Sequence, residues 1–120
     1  MRFEKTEEGI IDNQTGLIWK AEDEPGWFTF DKAVEHAKNT DWRVPTIDEL
    51  NSIVDRTKFN PASNPIFNMK SSVYWSCSPN ANYSGNAWYV SFNDGYVNDF
   101  NRNNDLHVRL VRSMEKKNEI

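Results

Sequence analysis

Cys77 is the single cysteine of the chain, and His36 and His107 are its two histidines. A thiol acts as a nucleophile when a base lies within hydrogen-bond reach and the sulfur is partly exposed. Cys77 stands between Ser76 and Ser78 in a core-directed strand pattern, which reads as a small buried residue. His36 falls off the apolar face of a helix, beside Glu35, and reads as solvated. His107 falls in the last strand, where a contact role at the asparagine-rich surface stays open. Asp94, Asp99 and Asp105 with nearby Asn oxygens could gather around a hard cation. The D-x-[DN]-x-[DN]-G loop is absent, and turn formation by Asn and Asp explains them better. No cofactor is expected, calcium being the one metal left open. Asp48 and Glu49 belong to a helix start, where negative charge meets the helix dipole. Arg43, Arg109 and Arg112 read as partners of carboxylates and aromatic rings rather than as an anion site. No enzyme is expected.

The segment Asn93–Asp105, NDGYVNDFNRNND, holds five asparagines and three aspartates. Turn chemistry accounts for Asn93-Asp94-Gly95. It does not account for Asn98, Asn101, Asn103 and Asn104, nor for Asn80, Asn82 and Asn86 before them. Amides offer both donor and acceptor. Interleaved with Tyr83, Tyr89, Tyr96 and Phe100, they resemble a paratope, in which rigid rings give area and short polar chains adapt. Turns are assigned about half of these residues and a recognition surface the rest. The binding residues are then Asn80, Asn82, Tyr83, Trp88, Asn98, Asn101, Arg102, Asn103 and Asp105, with Tyr83 and Trp88 as anchors.

The elements that must position these residues are legible in part. Gly9–Asp12 and Leu17–Lys20 flank Asn13-Gln14-Thr15-Gly16, a β-hairpin whose Gly can take positive φ. Phe30, Ala33, Val34 and Ala37 share a helix face, with Thr29 as N-cap. Pro45 precedes Thr46-Ile47-Asp48-Glu49, a capping box. Ile47, Leu50 and Val54 form the buried face of that second helix, with Ile53 alongside. Asn60–Pro65 is loop, pinned by Phe59, Ile66 and Phe67. Strands return from Val73. Trp88, Val90 and Phe92 alternate with Tyr89 and Ser91, Asp94-Gly95 turns the chain, and Tyr96, Asn98 and Phe100 alternate on the return. His107–Arg112 is a last strand. Helices grouped beside an antiparallel sheet give an α+β domain over residues 1–112, with 113–120 a charged, fraying tail.

Length and charge narrow the function. A chain of 120 residues fits one core. Leu, Ile, Val and Phe make up only 26 of its residues, so the 5 Trp and 4 Tyr must supply buried area. Net charge is −4, and the basic residues are scattered, so no nucleic-acid footprint is present. No apolar run approaches the length of a bilayer span and no signal segment opens the chain, so no membrane partner and a cytoplasmic location are expected, with a phage particle as the other location.

Several motifs together resemble one family. Trp42-Arg43-Val44-Pro45-Thr46 with Asp48-Glu49-Leu50 resembles its W-R-L-P-T-x-x-E-L signature. Tyr74–Ser78 is similar to Y-W-S-S-S, and Ala87–Phe92 with Gly95 to its A-W-x-V-x-F…G hairpin. Val108–Arg112 matches a closing V-R-L-V-R, and Asp12, Thr15, Gly16, Leu17 and Trp19 match D-x-x-T-G-L-x-W. The chain thus resembles the C-terminal domain of a collagen-like bacterial adhesin, over roughly residues 9–112. That family is similar to the C-type lectin fold and to retroelement-diversified variable proteins. The resemblance implies a C-type lectin-like fold, two helices packed on an irregular antiparallel sheet. It also implies scaffold at W-R-V-P-T and V-R-L-V-R, and a binding face within Tyr74–Asp105. A collagen-like repeat is missing, and Ser78-Pro79-Asn80 lacks the carboxylate of a calcium-lectin triplet. A protein partner is therefore expected before a glycan. The alternatives are a phage- or mobile-element-encoded inhibitor of a host protein and an adhesin-like glycan binder.

Overall fold

The computed structural model describes residues 1–114. Strands β1 (Phe3–Thr6), β2 (Gly9–Asp12), β3 (Leu17–Trp19) and β7 (Val111–Ser113) form an antiparallel sheet in the order β1-β2-β3-β7. The expected hairpin is β2–β3, with Ile10 opposite Trp19 and Gly16 at φ 75°. Strand β1 escapes a sequence reading because Phe-Glu-Lys-Thr is polar and mostly exposed, with no alternation.

Both helices form where their caps lie. Helix α1 (Phe30–Ala37) starts at Thr29, whose Oγ1 accepts the Lys32 N–H. It buries Phe30, Ala33 and Ala37 and leaves Val34 at the margin. Helix α2 (Ile47–Ser52) has the full capping box: the Glu49 N–H donates to Thr46 Oγ1 and the Thr46 N–H to Glu49 Oε1. Such a cap contributes about 1 kcal/mol. The helix ends at Ser52, so Leu50 and Ile53 enter the core while Ile47 and Val54 stay half-buried. Phe67 pins the following loop and is fully buried; Phe59 does not, being 75 % exposed.

The second sheet is β4 (Val73–Pro79), β5 (Asn86–Ser91) and β6 (Tyr96–Asn101), antiparallel in that order. The α+β expectation thus holds, with two sheets in place of one. Side chains alternate across a strand, so each face of β4–β5 meets its own core. Trp75 and Ala87 pack with Phe30 of α1, the Phe30 and Trp75 rings edge to face at 5.8 Å. Tyr74 and Val90 pack on the other side with Leu50 of α2, Trp19 and Phe67. Edge-to-face rings recur at Phe3–Phe67 and Tyr74–Phe92, so the aromatic residues do supply the core. At the β5–β6 turn Gly95 has φ 87°, and a Cβ there would lie 2.6 Å from Val54 Cγ1.

The expected last strand is corrected. Leu106–Val111 are all buried, and only Val111–Ser113 pair as a strand. The segment threads the middle of the molecule. The Trp75 N–H donates to the His107 carbonyl on one side, and the Glu24 and Lys20 N–H groups to Val108 and Leu110 on the other. Ser113 belongs to β7, and the Met114 N–H donates to the Gly16 carbonyl. The remaining tail, 115–120, lies outside the described residues. Among the described residues no helix is long and apolar enough to cross a membrane.

Arg109 ties these parts together. It is 1 % exposed; Nε donates to Asp23 Oδ1 (2.9 Å), Nη1 to the Lys20 carbonyl and Nη2 to the Phe67 carbonyl (2.8 Å). Asp23 also accepts the Tyr74 hydroxyl (2.7 Å) and the Lys70 ammonium. Removing one partner of a buried pair leaves the other charge uncompensated. Arg109→Ala is expected to cost about 3–5 kcal/mol, read as a fall in the urea midpoint. Arg109→Lys should recover only part of that loss, since an ammonium cannot reproduce the fork. An unchanged midpoint in both variants would refute this assignment.

Candidate functional site

The nucleophile–base arrangement is not assembled. Cys77 is half-buried in β4 and lines a cavity of about 360 Å³ with Val34, Ala37, Trp42 and Val44. Burial first, then the Glu49 carboxylate, push its thiol above the ordinary value, with Arg43 opposing. His36 is exposed, as expected, and is also paired: Nε2 lies 2.8 Å from Glu24 Oε1, and its ring lies against Phe28. His107 does not reach the asparagine-rich surface. It is 8 % exposed, between Trp27 (centroids 4.0 Å apart) and Tyr74. Nor are Asp94, Asp99 and Asp105 gathered: no cluster of three His, Cys, Asp or Glu able to hold a metal occurs among the described residues.

Much of the asparagine and aspartate shapes local backbone. In six places the N–H of residue i+2 donates to the side chain of residue i: Asp12, Asp55, Asn64, Asn80, Asp94 and Asn101. These are Asx turns, in which a side chain stands in for a turn carbonyl. Asn98 Oδ1 accepts the neighbouring Asp99 N–H (2.8 Å). Asp99 Oδ2 accepts both Asn80 Nδ2 and Asn86 Nδ2, each at 2.9 Å, and these amides hold its carboxyl below the usual range.

The structure divides the nine expected binding residues. Asn82, Tyr83, Asn101, Arg102, Asn103 and Asp105 sit in two loops that meet at one end of the β5–β6 hairpin. There the Arg102 N–H donates to the Gly85 carbonyl and its Nη1 to the Ser84 carbonyl. Trp88 is only half-buried, but it lies on the other face of the sheet. Register pairs Trp88 with Asp99 and Tyr89 with Asn98, so Trp88 and Asn98 point to opposite sides. Asn80 belongs with Asp99. Arg102 is anchored: its guanidinium pairs with Asp31 of α1 and lies 4.5 Å over the Phe30 ring.

Two exposed aromatics named among the rings were left out of the expected binding residues. Tyr96 (61 %) and Phe100 (44 %) share the Asn98 face of β6, and Phe100 meets Tyr89 at 5.8 Å. The period of two at Tyr96, Asn98 and Phe100 carried that signal. Helix α1 covers this face over β4 and leaves its β6 half open.

A family model, the Lcl C-terminal domain, matches residues 8–112. The chain belongs to this family. No match to a curated protein is found. In this Lcl C-terminal domain the motif residues are structural. Burial works to raise the Glu49 carboxyl, but Arg43, which grips it with both Nη atoms, and Thr46 together hold it below its ordinary value. Asp12, fully buried, accepts Arg2 Nε and Nη2 and the Gln14 N–H. Arg112 pairs with Glu8 and lies 5.0 Å over Trp42. Arg43, Arg109 and Arg112 each have the expected carboxylate partner, and among the described residues Arg112 alone of the three also lies over a ring.

Two measurements follow from these contacts. Arg102→Ala should lower stability by about 1 kcal/mol in urea, because a partly exposed ion pair and a ring contact are lost together. An effect near zero would return Arg102 to the free surface. His107 has a depressed pKa, caused first by burial and opposed by Asp23. The unfolded chain therefore takes up a proton that the folded chain refuses. Stability is fully present above the unfolded value, about 6.5, and falls as pH drops through it towards the folded pKa. Between pH 7.5 and 5.5, roughly one unit either side of that value, His107→Phe should show a shallower decline in melting temperature. Parallel curves for the two proteins would contradict it.

Proposed function

We propose that the chain is a non-catalytic recognition domain of C-type lectin-like fold that binds a protein partner through the open half of its second sheet. The observation that carries this reading is the exposure of Tyr96 and Phe100 beside Asn98 on one face of β6, with Tyr83 (68 %) exposed in the loop entering β5. Large rings in water on a rigid sheet are expensive to leave uncovered, and exposed apolar patches mark interaction sites. Rigid aromatics with short amides around them suit a protein surface. Asn82, Asn103 and Asp105 supply polar contacts at the loop end, and Asn98 on the sheet. Asn80, Asn101 and Arg102 support these residues rather than touch the partner. The raised thiol of Cys77 and the separation of both histidines from it favour binding over catalysis.

Tyr83→Ala/Tyr96→Ala/Phe100→Ala tests the reading by capture from host lysate beside the parent chain. The variant should lose the captured protein while its stability changes by no more than about 0.5 kcal/mol per site, the ordinary range for surface positions. Undiminished capture by the variant would remove this face from consideration. Capture of sulfated polysaccharide in place of a protein would move the assignment to a glycan.

A further inference from the structure

We propose that the partner segment seated on the open β6 face carries arginine or lysine, an inference that rests on that face being the recognition surface. Three of the chain's other rings carry its own cations. Arg2 lies over Phe3 at 4.6 Å, Lys20 and Arg112 over Trp42 at 5.5 and 5.0 Å, and Arg102 over Phe30 at 4.5 Å. Among the described residues no such cation stands over Tyr83, Tyr96 or Phe100. A ring face with negative quadrupole and no cation invites one.

Charge points the same way. Arg102 is the single Arg or Lys between Ser71 and Val108, against Asp94, Asp99 and Asp105. Arg102 is already engaged by Asp31, the Ser84 carbonyl and the Phe30 ring. At the turn end Arg56 is engaged by the Gly95 carbonyl and Asn51 Oδ1. Asp99 points to the opposite face with Trp88 and takes no part. Asp94 precedes β6 and Asp105 follows its closing loop, so carboxylates bracket an exposed strand of rings. A planar guanidinium both stacks on such rings and forks to carboxylates, which makes arginine the better match.

The test is an NMR titration of the ¹⁵N-labelled full chain with a tri-arginine peptide and with its tri-citrulline analogue, which keeps shape and loses charge. The arginine peptide should shift the amides of Tyr89, Tyr96, Asn98 and Phe100, and the citrulline peptide should not. Asp94→Asn/Asp105→Asn keeps the Asx turn and should weaken binding about threefold or more, a change the size of an exposed ion pair. Glu4→Gln/Glu7→Gln removes the same charge from the first sheet and should leave the β6 shifts intact. Equal weakening by both double variants, or shifts spread over every acidic surface, would reduce the effect to net charge and overturn the proposal. Absence of any shift would overturn it as well. Either failure is separable from the recognition reading, which stands or falls on whether Tyr83→Ala/Tyr96→Ala/Phe100→Ala loses its captured protein.

Discussion

A single guanidinium, that of Arg109, sets the constraint on which both sheets depend. It is carried by a segment buried on every side, and it closes hydrogen bonds to acceptors in two other parts of the chain: the Lys20 carbonyl and Asp23 in the loop after β3, and the Phe67 carbonyl. A charge in that position cannot be left partly satisfied, so its partners must all arrive together. Asp23 extends the arrangement to Tyr74 of β4, which joins the second sheet to the first. An aromatic core alone would stick these layers together without fixing their registry. The buried fork fixes it, because its three donors lie in one plane and admit one arrangement of acceptors.

The β4–β5–β6 sheet is asymmetric for a related reason. Over β4 both faces are covered, one by α1 and the other by α2 and the first sheet. Over β6 neither helix reaches the Asn98 face. The strands most deeply embedded hold the outermost strand in place, and the outermost strand is then free to spend its side chains outward. Its backbone is protected meanwhile: Asn98 occupies the Asp99 N–H, which blunts a free strand edge against unwanted pairing.

Local rules were enough to read the parts of the fold that are locally encoded. Thr29, the Thr46–Glu49 box, the Gly16 hairpin and the Asp94-Gly95 turn are written in a few adjacent residues, and each forms where its residues lie. Failures came where the decisive partner is distant. Nothing beside Leu106–Val111 says that it is packed on all sides, because its neighbours come from Lys20–Phe28, Arg43 and β4. His107 was misplaced for the same reason, since Trp27 reaches it across the sequence. At the candidate site the composition was legible and its partition was not. Asn80, Asn98 and Asn101 look alike in sequence, yet each is bound to backbone, and Arg102 looks free until α1 brings Asp31 to it. Tyr96 and Phe100 needed only the strand period already in hand.

The Asx turns have an effect on which residues this chain can afford to change. A loop shaped by the side chain of its own first residue asks little of the residues that follow. Asn80 and Asn101 each fix a loop by one bond to the N–H two residues on, a group every residue except proline possesses. Ala81, Tyr83, Ser84 and Asn103 can then be exchanged for other side chains while the loops keep their course. The same scaffold could present a different set of rings and amides after a handful of codon changes that leave the interior untouched.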